Sequence, residues 1–279
     1  MTNDVTDQSN KYTKEFFDFL SNSSLSSAKV IAPIIVELLH PKSVVDVGCG
    51  QGVWLSVLKS LGIEEVLGID GDYIQRDKLE IGENEFRASD LNQPLHLDRT
   101  FDLVISLEVA EHLPEEIADI FIRNLTNLGK VVLFSAAIPF QGGVNHVNEQ
   151  WPDYWIKKFD GLDYVPIDCI REKVWKDSRV ASWYAQNMII FIEKAYLAKN
   201  RKLVIERQKT VSHFSNLVHP ENYIQKCQEI SNLKKAVEWY EHHPDPQKLA
   251  LRDFLKAAPT VFLNGFRRTL DSLFDSSSS

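Results

Sequence analysis

The stretch VVDVGCGQGVWL, residues 44–55, decides the fold. It begins with a β-branched apolar run typical of a buried strand, and Gly48, Gly50 and Gly52 follow at alternate positions. The apolar residues after the last glycine have helical spacing. A strand, a tight glycine turn and a helix in this order place free backbone N–H groups at a helix N-terminus, where a ligand can approach closely. The stretch therefore predicts a ligand site at the carboxyl end of a central strand.

Two other interpretations of the glycine turn stay open at this point. Dinucleotide-binding proteins use the spacing G-x-G-x-x-G, whereas this turn has G-x-G-x-G. Asp46, two positions before Gly48, would repel a pyrophosphate but suits a ligand that carries an ammonium and a sulfonium. The third interpretation is a turn with a structural role alone, and residues further along the chain are needed to weigh against it.

Strands and helices alternate around the glycine turn. Predicted strands cover residues 42–48, 64–70, 84–90, 101–108 and 130–139, and predicted helices cover residues 24–39, 51–62, 72–80 and 114–129. Alternation at this spacing implies a mostly parallel sheet with helices on both faces.

The pattern changes after residue 140. The predicted elements there are a short helix at 151–161, two strands at 162–170 and 182–194, and helical sequence over 195–274 with breaks near 218–222 and 242–246. Because no full crossover helix separates the two strands, they are expected to pair antiparallel at the sheet edge.

Acidic residues follow two more of the predicted strands. Asp70 ends the second strand, about 20 residues after the glycine turn, where an acid accepts hydrogen bonds from ribose hydroxyls. Asp90 ends the third strand, placed to accept a hydrogen bond from an adenine amino group, with Leu91 beside the ring. Together with Asp46, these acids at the ends of successive strands indicate a nucleoside ligand rather than a structural turn.

These motifs resemble those of the class I S-adenosylmethionine-dependent methyltransferases. VVDVGCGQG, LGID, ASDL and FDLVISLEVAEHLP follow one another in the order and spacing of that superfamily, and the resemblance covers residues 24–194. It implies an α/β fold with a Rossmann-like seven-stranded class I methyltransferase sheet, whose last strand is antiparallel, followed here by a C-terminal helical extension. It also implies an enzyme that uses S-adenosyl-L-methionine, with its methionine moiety at the glycine turn, its ribose at Asp70 and its adenine at Asp90. The cofactor-binding residues that the resemblance implies are Asp46, Gly48, Cys49, Gly50, Gly52, Asp70, Gly71, Asp90, Leu91, Leu107 and Glu108.

A second motif, SLEVAEHLP at residues 106–114, follows the fourth strand. Its Glu108, Glu111 and His112 stand at i, i+3 and i+4, so one helical turn places them on a shared face. Carboxylate oxygens and an imidazole nitrogen predict a site for Mg²⁺ or another divalent cation, with His146 from the loop after strand five as fourth ligand and Glu149 close by. E-x-x-E-H here resembles the metal-dependent small-RNA 2′-O-methyltransferases and ubiquinone-pathway O-methyltransferases.

The same motif has metal-free interpretations. Glu111 caps the following helix and His112 lines the pocket in one of them. In the other, His146 or His112 is a general base that takes a hydroxyl proton, since imidazole titrates near neutral pH. The candidate catalytic residues are His146, His112 and Glu111.

The segment NHVNEQWPDYW, residues 145–155, mixes polar and aromatic side chains on the acceptor side of the predicted site. This mixture fits a hydroxylated or ring-containing acceptor. The sequence therefore predicts an O-methyltransferase acting on a small metabolite, natural product or sugar. The alternatives are a metal-independent N-methyltransferase of a small molecule and an RNA 2′-O-methyltransferase. A net charge of −8 counts against nucleic acid as a partner.

Composition and sequence pattern predict the cellular compartment and the domain organisation of the chain. Its 279 residues are 44% hydrophobic, enough for a large core. Three unpaired cysteines indicate a cytoplasmic protein, and no apolar run approaches the roughly 20 residues that span a bilayer. The predicted divisions are an N-terminal tail and cap helix at 1–40, a methyltransferase core at 41–194, a helical extension at 195–274 and a disordered tail at 275–279. Amphipathic stripes in the extension leave four roles open. They suit a packed appendage of the core, a cover over the pocket, a homodimer through the C-terminal helices, or contact with a carrier protein or membrane surface.

Overall fold

The computed structural model describes residues 14–210 and 215–242. The chain divides into two compact units, Met1–Asn222 and Tyr223–Ser279. The predicted tail at 275–279 and the sequence around the predicted break at 243–246 lie outside the described residues.

The first unit contains a seven-stranded sheet. Its strands are β1 (Ser43–Val47), β2 (Glu65–Asp70), β3 (Phe86–Ala88), β4 (Leu103–Leu107), β5 (Val131–Ser135), β6 (Tyr164–Ile167) and β7 (Ile189–Glu193). Their order across the sheet is β3-β2-β1-β4-β5-β7-β6. The first five strands are parallel, and β7 lies antiparallel between β5 and β6. Both the predicted sheet and its antiparallel edge pair are confirmed.

The three central strands β1, β4 and β5 are buried along their whole length. Successive side chains of a strand point to opposite faces, and β1 shows the consequence. Val44 packs into the core beneath the first two helices, whereas Val45 and Val47 pack into the core on the other face, with Phe121. Because both faces are covered, the carboxyl ends of these strands are the open edge where a ligand can be bound.

Helices cover both faces of the sheet, and further helices, α7 to α9 below, follow its last strand in the chain. They are α1 (Lys14–Leu39), α2 (Val53–Ser60), α3 (Ala118–Leu128), α4 (Pro152–Asp160), α5 (Arg171–Val174), α6 (Ser182–Asn187), α7 (Lys194–Leu197), α8 (Arg201–Lys209) and α9 (Pro220–His242). None of the helices over 14–210 and 215–242 is both long and apolar enough to cross a membrane.

The helix predicted at 72–80 is wrong, because only a single 3-10 turn forms there, at Arg76–Lys78. The backbone N–H of Glu80 donates to the carbonyl oxygen of Gln51 at 2.8 Å, so this segment is tied to the glycine turn. The predicted third strand is likewise shorter than 84–90, and Asp90 lies beyond its end.

The strand predicted at 182–194 is wrong in its first half, where α6 precedes β7. Gln186 and Asn187 are consecutive and both buried, with 0% and 3% exposure. The alternation of a strand would send them to opposite faces, whereas the end of a helix lets both side chains hydrogen-bond to each other, at 2.9 Å.

Candidate functional site

The glycine turn, residues 48–52, takes the backbone shape that its sequence predicts. Gly48 and Gly50 have φ of 85° and 53°, in the left-handed region that favours glycine. Gly48 also lies against Val109, since a Cβ there would stand 2.3 Å from Val109 Cγ2. The turn thus passes close beneath the residues that follow β4, and Gly52 begins α2.

The Asp70 carboxylate holds the glycine turn against the end of β2. It is 5% exposed, and its Oδ2 accepts a hydrogen bond from Gly50 N at 2.7 Å. Its Oδ1 accepts hydrogen bonds from Gly71 N at 2.6 Å and from the hydroxyl of Tyr73 at 2.5 Å. Sequence reasoning missed Tyr73, because no motif marks it and only the fold of the chain after β2 brings it back to Asp70.

Asp46 lies within β1 and is 3% exposed. Burial, and then the charge of Asp70, raise the pKa of Asp46 to about 8. A positively charged group beside this carboxylate would relieve both effects. The site therefore favours a cationic ligand near the amino end of the glycine turn.

The remaining residues predicted for the cofactor differ in exposure. Asp90 is exposed, and its Oδ1 accepts hydrogen bonds from Asn92 N and Nδ2, both at 2.9 Å, which lower its pKa. Leu91 and Leu107 are each 8% exposed. The thiol of Cys49 donates to Gly50 O at 3.4 Å.

Glu108 follows β4 in a left-handed conformation, with φ of 55°. Its backbone N–H donates to Ser135 O at 2.9 Å, and its Oε2 accepts a hydrogen bond from Gln141 Nε2 at 2.9 Å. Asn187 Nδ2 also donates to Glu108 Oε1, at 3.1 Å. Sequence reasoning missed Gln141 and Asn187 as partners of Glu108, because they lie 33 and 79 residues further along the chain.

Three of the four predicted metal ligands come together. Glu111, His112 and His146 each offer one ligand atom, and these atoms lie within 4.8 Å of one another. The two imidazole rings meet edge to face, with centroids 4.8 Å apart. We call these three residues the Glu–His–His cluster. Glu108 is outside it.

Glu111 is 0% exposed, and neither of its carboxylate oxygens accepts a well-formed hydrogen bond among the described residues, although the Ala137 backbone and the Glu108 side chain lie nearby. Burial, and then the charge of Glu108, raise the pKa of Glu111 well above its usual range. Burial, and then His146, lower the pKa of His112. Each of these effects disfavours the charged form of the residue, so the cluster lacks the positive charge that would stabilise a Glu111 carboxylate.

The loop after β5 delivers His146 to the cluster. The carbonyl oxygen of Glu111 accepts hydrogen bonds from Val147 N and Asn148 N, at 2.8 and 3.0 Å. Glu149 accepts hydrogen bonds from Gly142 N at 2.8 Å, and it lies 2.9 Å from His146 Nδ1. This pairing assigns the proton to Nδ1 and leaves Nε2 with a lone pair.

Comparison with known proteins gives a family match over much of this region. The profile of the family described as "Methyltransferase domain" matches residues 24–171. The ribosomal protein L11 methyltransferase of Thermosipho africanus is 32% identical over 104 residues, which are 34% of this chain and 38% of that protein. This chain therefore spans well under half the length of that relative.

Solved structures of several methyltransferases are partly similar to this chain. The sugar N-methyltransferase KedS8 from Streptoalloteichus sp. ATCC 53650 is 13% identical, with a TM-score of 0.48, over 70% of this chain and 99% of that one. Magnesium protoporphyrin IX methyltransferase from Synechocystis PCC 6803, solved with bound S-adenosylmethionine, is 19% identical, with a TM-score of 0.47, over 66% and 85%. The methyltransferase domain of bacterial CtHen1 is 20% identical, with a TM-score of 0.46, over 61% and 98%.

Proposed function

Since this chain belongs to the methyltransferase domain family, we propose that it is a class I S-adenosylmethionine-dependent methyltransferase that methylates a hydroxyl group of a small metabolite, natural product or sugar. In this proposal S-adenosylmethionine is the methyl donor.

In this proposal the cofactor lies across the carboxyl ends of β1, β2 and β4. Asp46 binds the ammonium of the methionine moiety, because a cation relieves the cost of a carboxylate that is 3% exposed. Asp70 accepts from the ribose hydroxyls, and Leu91 packs beside the adenine. Leu107 ends β4 and Glu108 follows it, next to β1, so in this proposal they face the sulfonium methyl group.

The observation that carries the proposal is the Glu–His–His cluster. A buried carboxylate without a hydrogen-bond donor is costly, and a divalent cation bound to its oxygens would satisfy it. Glu111, His112 and His146 would hold this cation, and two imidazoles with one carboxylate favour Mn²⁺ or another transition ion over Mg²⁺. When bound, the cation would lower the pKa of an acceptor hydroxyl and fix its position.

The protein's own groups also serve a hydroxyl acceptor. An alcohol is a weak nucleophile until it loses its proton. In a site without the cation, His146 Nε2 would take that proton, because Glu149 holds the proton on Nδ1; with the cation bound, the same Nε2 would be its ligand. Glu149 also fixes the backbone of the loop through Gly142 N, so the imidazole is oriented by the same carboxylate that sets its tautomer.

Calorimetric titration with Mn²⁺ and with Mg²⁺ tests the cluster, using protein saturated with S-adenosylhomocysteine. We expect one ion per chain for the wild type and for the control variant Glu115→Gln, a nearby exposed carboxylate, but none for Glu111→Gln. Transfer of a labelled methyl group to panels of hydroxyl and amine acceptors, with and without chelator, tests the acceptor. Methylation confined to amines would overturn the O-methyltransferase proposal, and full turnover in excess chelator would remove the cation from it.

A further inference from the structure

Tyr73 is an exposed side chain held at one point. It is 78% exposed, yet its hydroxyl donates to Asp70 Oδ1 at 2.5 Å. Its ring lies against Gly71, where a Cβ would stand 2.0 Å from Tyr73 Cε1. Because Gly71 has no side chain, the ring of Tyr73 has room to pass over it and reach the buried Asp70 carboxylate.

The hydrogen bonds of Asp70 leave little room for a further donor. A carboxylate oxygen accepts about two hydrogen bonds. Oδ1 already accepts from Gly71 N and Tyr73, whereas Oδ2 accepts from Gly50 N. One acceptor position remains on Oδ2, but a ribose presents two neighbouring hydroxyls. The two backbone donors are fixed by the turn, so Tyr73 is the donor that can leave.

We propose that the hydroxyl of Tyr73 occupies the position on Asp70 Oδ1 that a ribose hydroxyl of S-adenosylmethionine takes, so that cofactor binding displaces Tyr73. This rests on the proposed role of Asp70 in binding the ribose. Without the cofactor, Tyr73 donates a hydrogen bond to the buried Asp70 carboxylate. A buried carboxylate with too few hydrogen-bond donors would destabilise the protein. On displacement the exposed side chain returns its hydroxyl to water.

The hydroxyl of Tyr73 keeps its proton near neutral pH, so ionisation does not interrupt this exchange. Although most of the side chain is exposed, partial burial at its hydroxyl end, and then the hydrogen bond to Asp70, raise the pKa of Tyr73 above its usual range. The hydroxyl therefore remains a donor at the pH values at which methyltransferases are assayed, and the exchange is one neutral hydroxyl for another.

The exchange has two consequences that a purely structural tyrosine would not have together. Tyr73→Phe removes the hydroxyl and keeps the ring, so Asp70 loses a donor in the empty protein and a competitor of the ribose. We expect the melting temperature of the empty protein to fall. We expect S-adenosylhomocysteine to bind about ten-fold more tightly by calorimetry, the value of one hydrogen bond to a charged group.

The matched control is Tyr196→Phe, which makes the same chemical change in α7, after β7 and away from the glycine turn. It should leave the affinity for S-adenosylhomocysteine unchanged. Unchanged or weaker binding by Tyr73→Phe would overturn the inference. Asp70→Ala tests the premise separately: if that variant keeps wild-type affinity, the ribose is held elsewhere and the proposed cofactor site fails with it.

A measurement on the wild-type chain covers the case in which Tyr73→Phe does not fold. With 3-fluorotyrosine at all eight tyrosines, one ¹⁹F resonance should move towards the position of free 3-fluorotyrosine when S-adenosylhomocysteine is added, because the hydroxyl of Tyr73 loses its hydrogen bond to Asp70. A saturated complex in which every ¹⁹F resonance keeps its position would contradict the displacement.

Discussion

Asp46 combines near-complete burial with a carboxylate that the proposed cofactor needs. Its pKa of about 8 lies above the model-peptide value of 3.8, chiefly because burial disfavours the charge. The folded state therefore holds this proton to higher pH than the unfolded state does. As pH rises from about 4 to about 8, the free energy of unfolding contributed by Asp46 falls. The residue favours ligand binding at the expense of the stability of the empty protein.

Asp46→Asn separates these two effects. Because the amide does not ionise, we expect the empty variant to melt higher than the wild type at pH 8, with a smaller difference at pH 5. Its affinity for S-adenosylmethionine should fall by at least about ten-fold, since the proposed ammonium partner is lost. Melting curves at both pH values and calorimetry check the two parts. A variant that binds like the wild type would contradict the role given to Asp46.

The sequence predicts where a candidate site residue lies when that residue occupies a fixed place in a motif. Asp46 and Asp70 follow from their positions relative to the glycines, because the fold brings successive strand ends to one edge. Tyr73, Gln141 and Asn187 do not follow in this way. Tyr73 lies only three residues from Asp70 and reaches it through the loop after β2, whereas Gln141 and Asn187 reach Glu108 from distant parts of the chain. None of these three contacts leaves a period or a motif in the sequence.

At the scale of elements, the glycine turn depends on both conformation and space. Gly48 has φ of 85°, and its missing Cβ makes room for Val109. Gly62 has φ of 95°, but a Cβ there would meet nothing within 4 Å. Both glycines have a left-handed backbone conformation, but only Gly48 lies against another side chain. Gly62 therefore serves as the control for Gly48.

Gly48→Ala should therefore destabilise the protein more than Gly62→Ala. A left-handed conformation costs a non-glycine residue about 1–3 kcal/mol, and overpacking against Val109 adds about 1–3 kcal/mol at position 48 alone. Urea unfolding of both variants measures the difference. Equal losses of unfolding free energy would show that Val109 moves aside freely and that conformation alone requires glycine there.

The sequence predicts an element well when every position of that element has the same requirement, such as burial. β1, β4 and β5 are buried on both faces and follow from apolar runs. The segment at 72–80 fails as a helix because Glu80 bonds to Gln51 instead of within its own turn. The segment at 182–187 fails as a strand because Gln186 and Asn187 enter one buried polar network. In both cases, contacts with other parts of the chain override local pattern.

At the scale of the whole molecule, the order of the strands follows from the sequence more fully than the ends of the chain do. Alternating strands and helices constrain the parallel part of the sheet, and the connection between β6 and β7, which holds only the short helices α5 and α6, favours their antiparallel pairing. No comparable rule predicts how the helices after β7 pack. α9 presents Tyr223, Ile230, Leu233 and Val237, each more than half exposed, at spacings of three, four and seven that place them on one side.

A homodimer that buries this side of α9 remains our prediction, since exposed apolar stripes of this kind mark interaction surfaces. Light scattering of the full chain should give a dimer mass. Leu233→Glu should give a monomer, because it places a charge within the stripe, whereas Asn232→Glu should remain dimeric, because Asn232 points away from Ile230 and Leu233. A monomeric wild type at high concentration, or a Leu233→Glu variant that stays dimeric, would mean that this side of α9 does not join two copies of the chain.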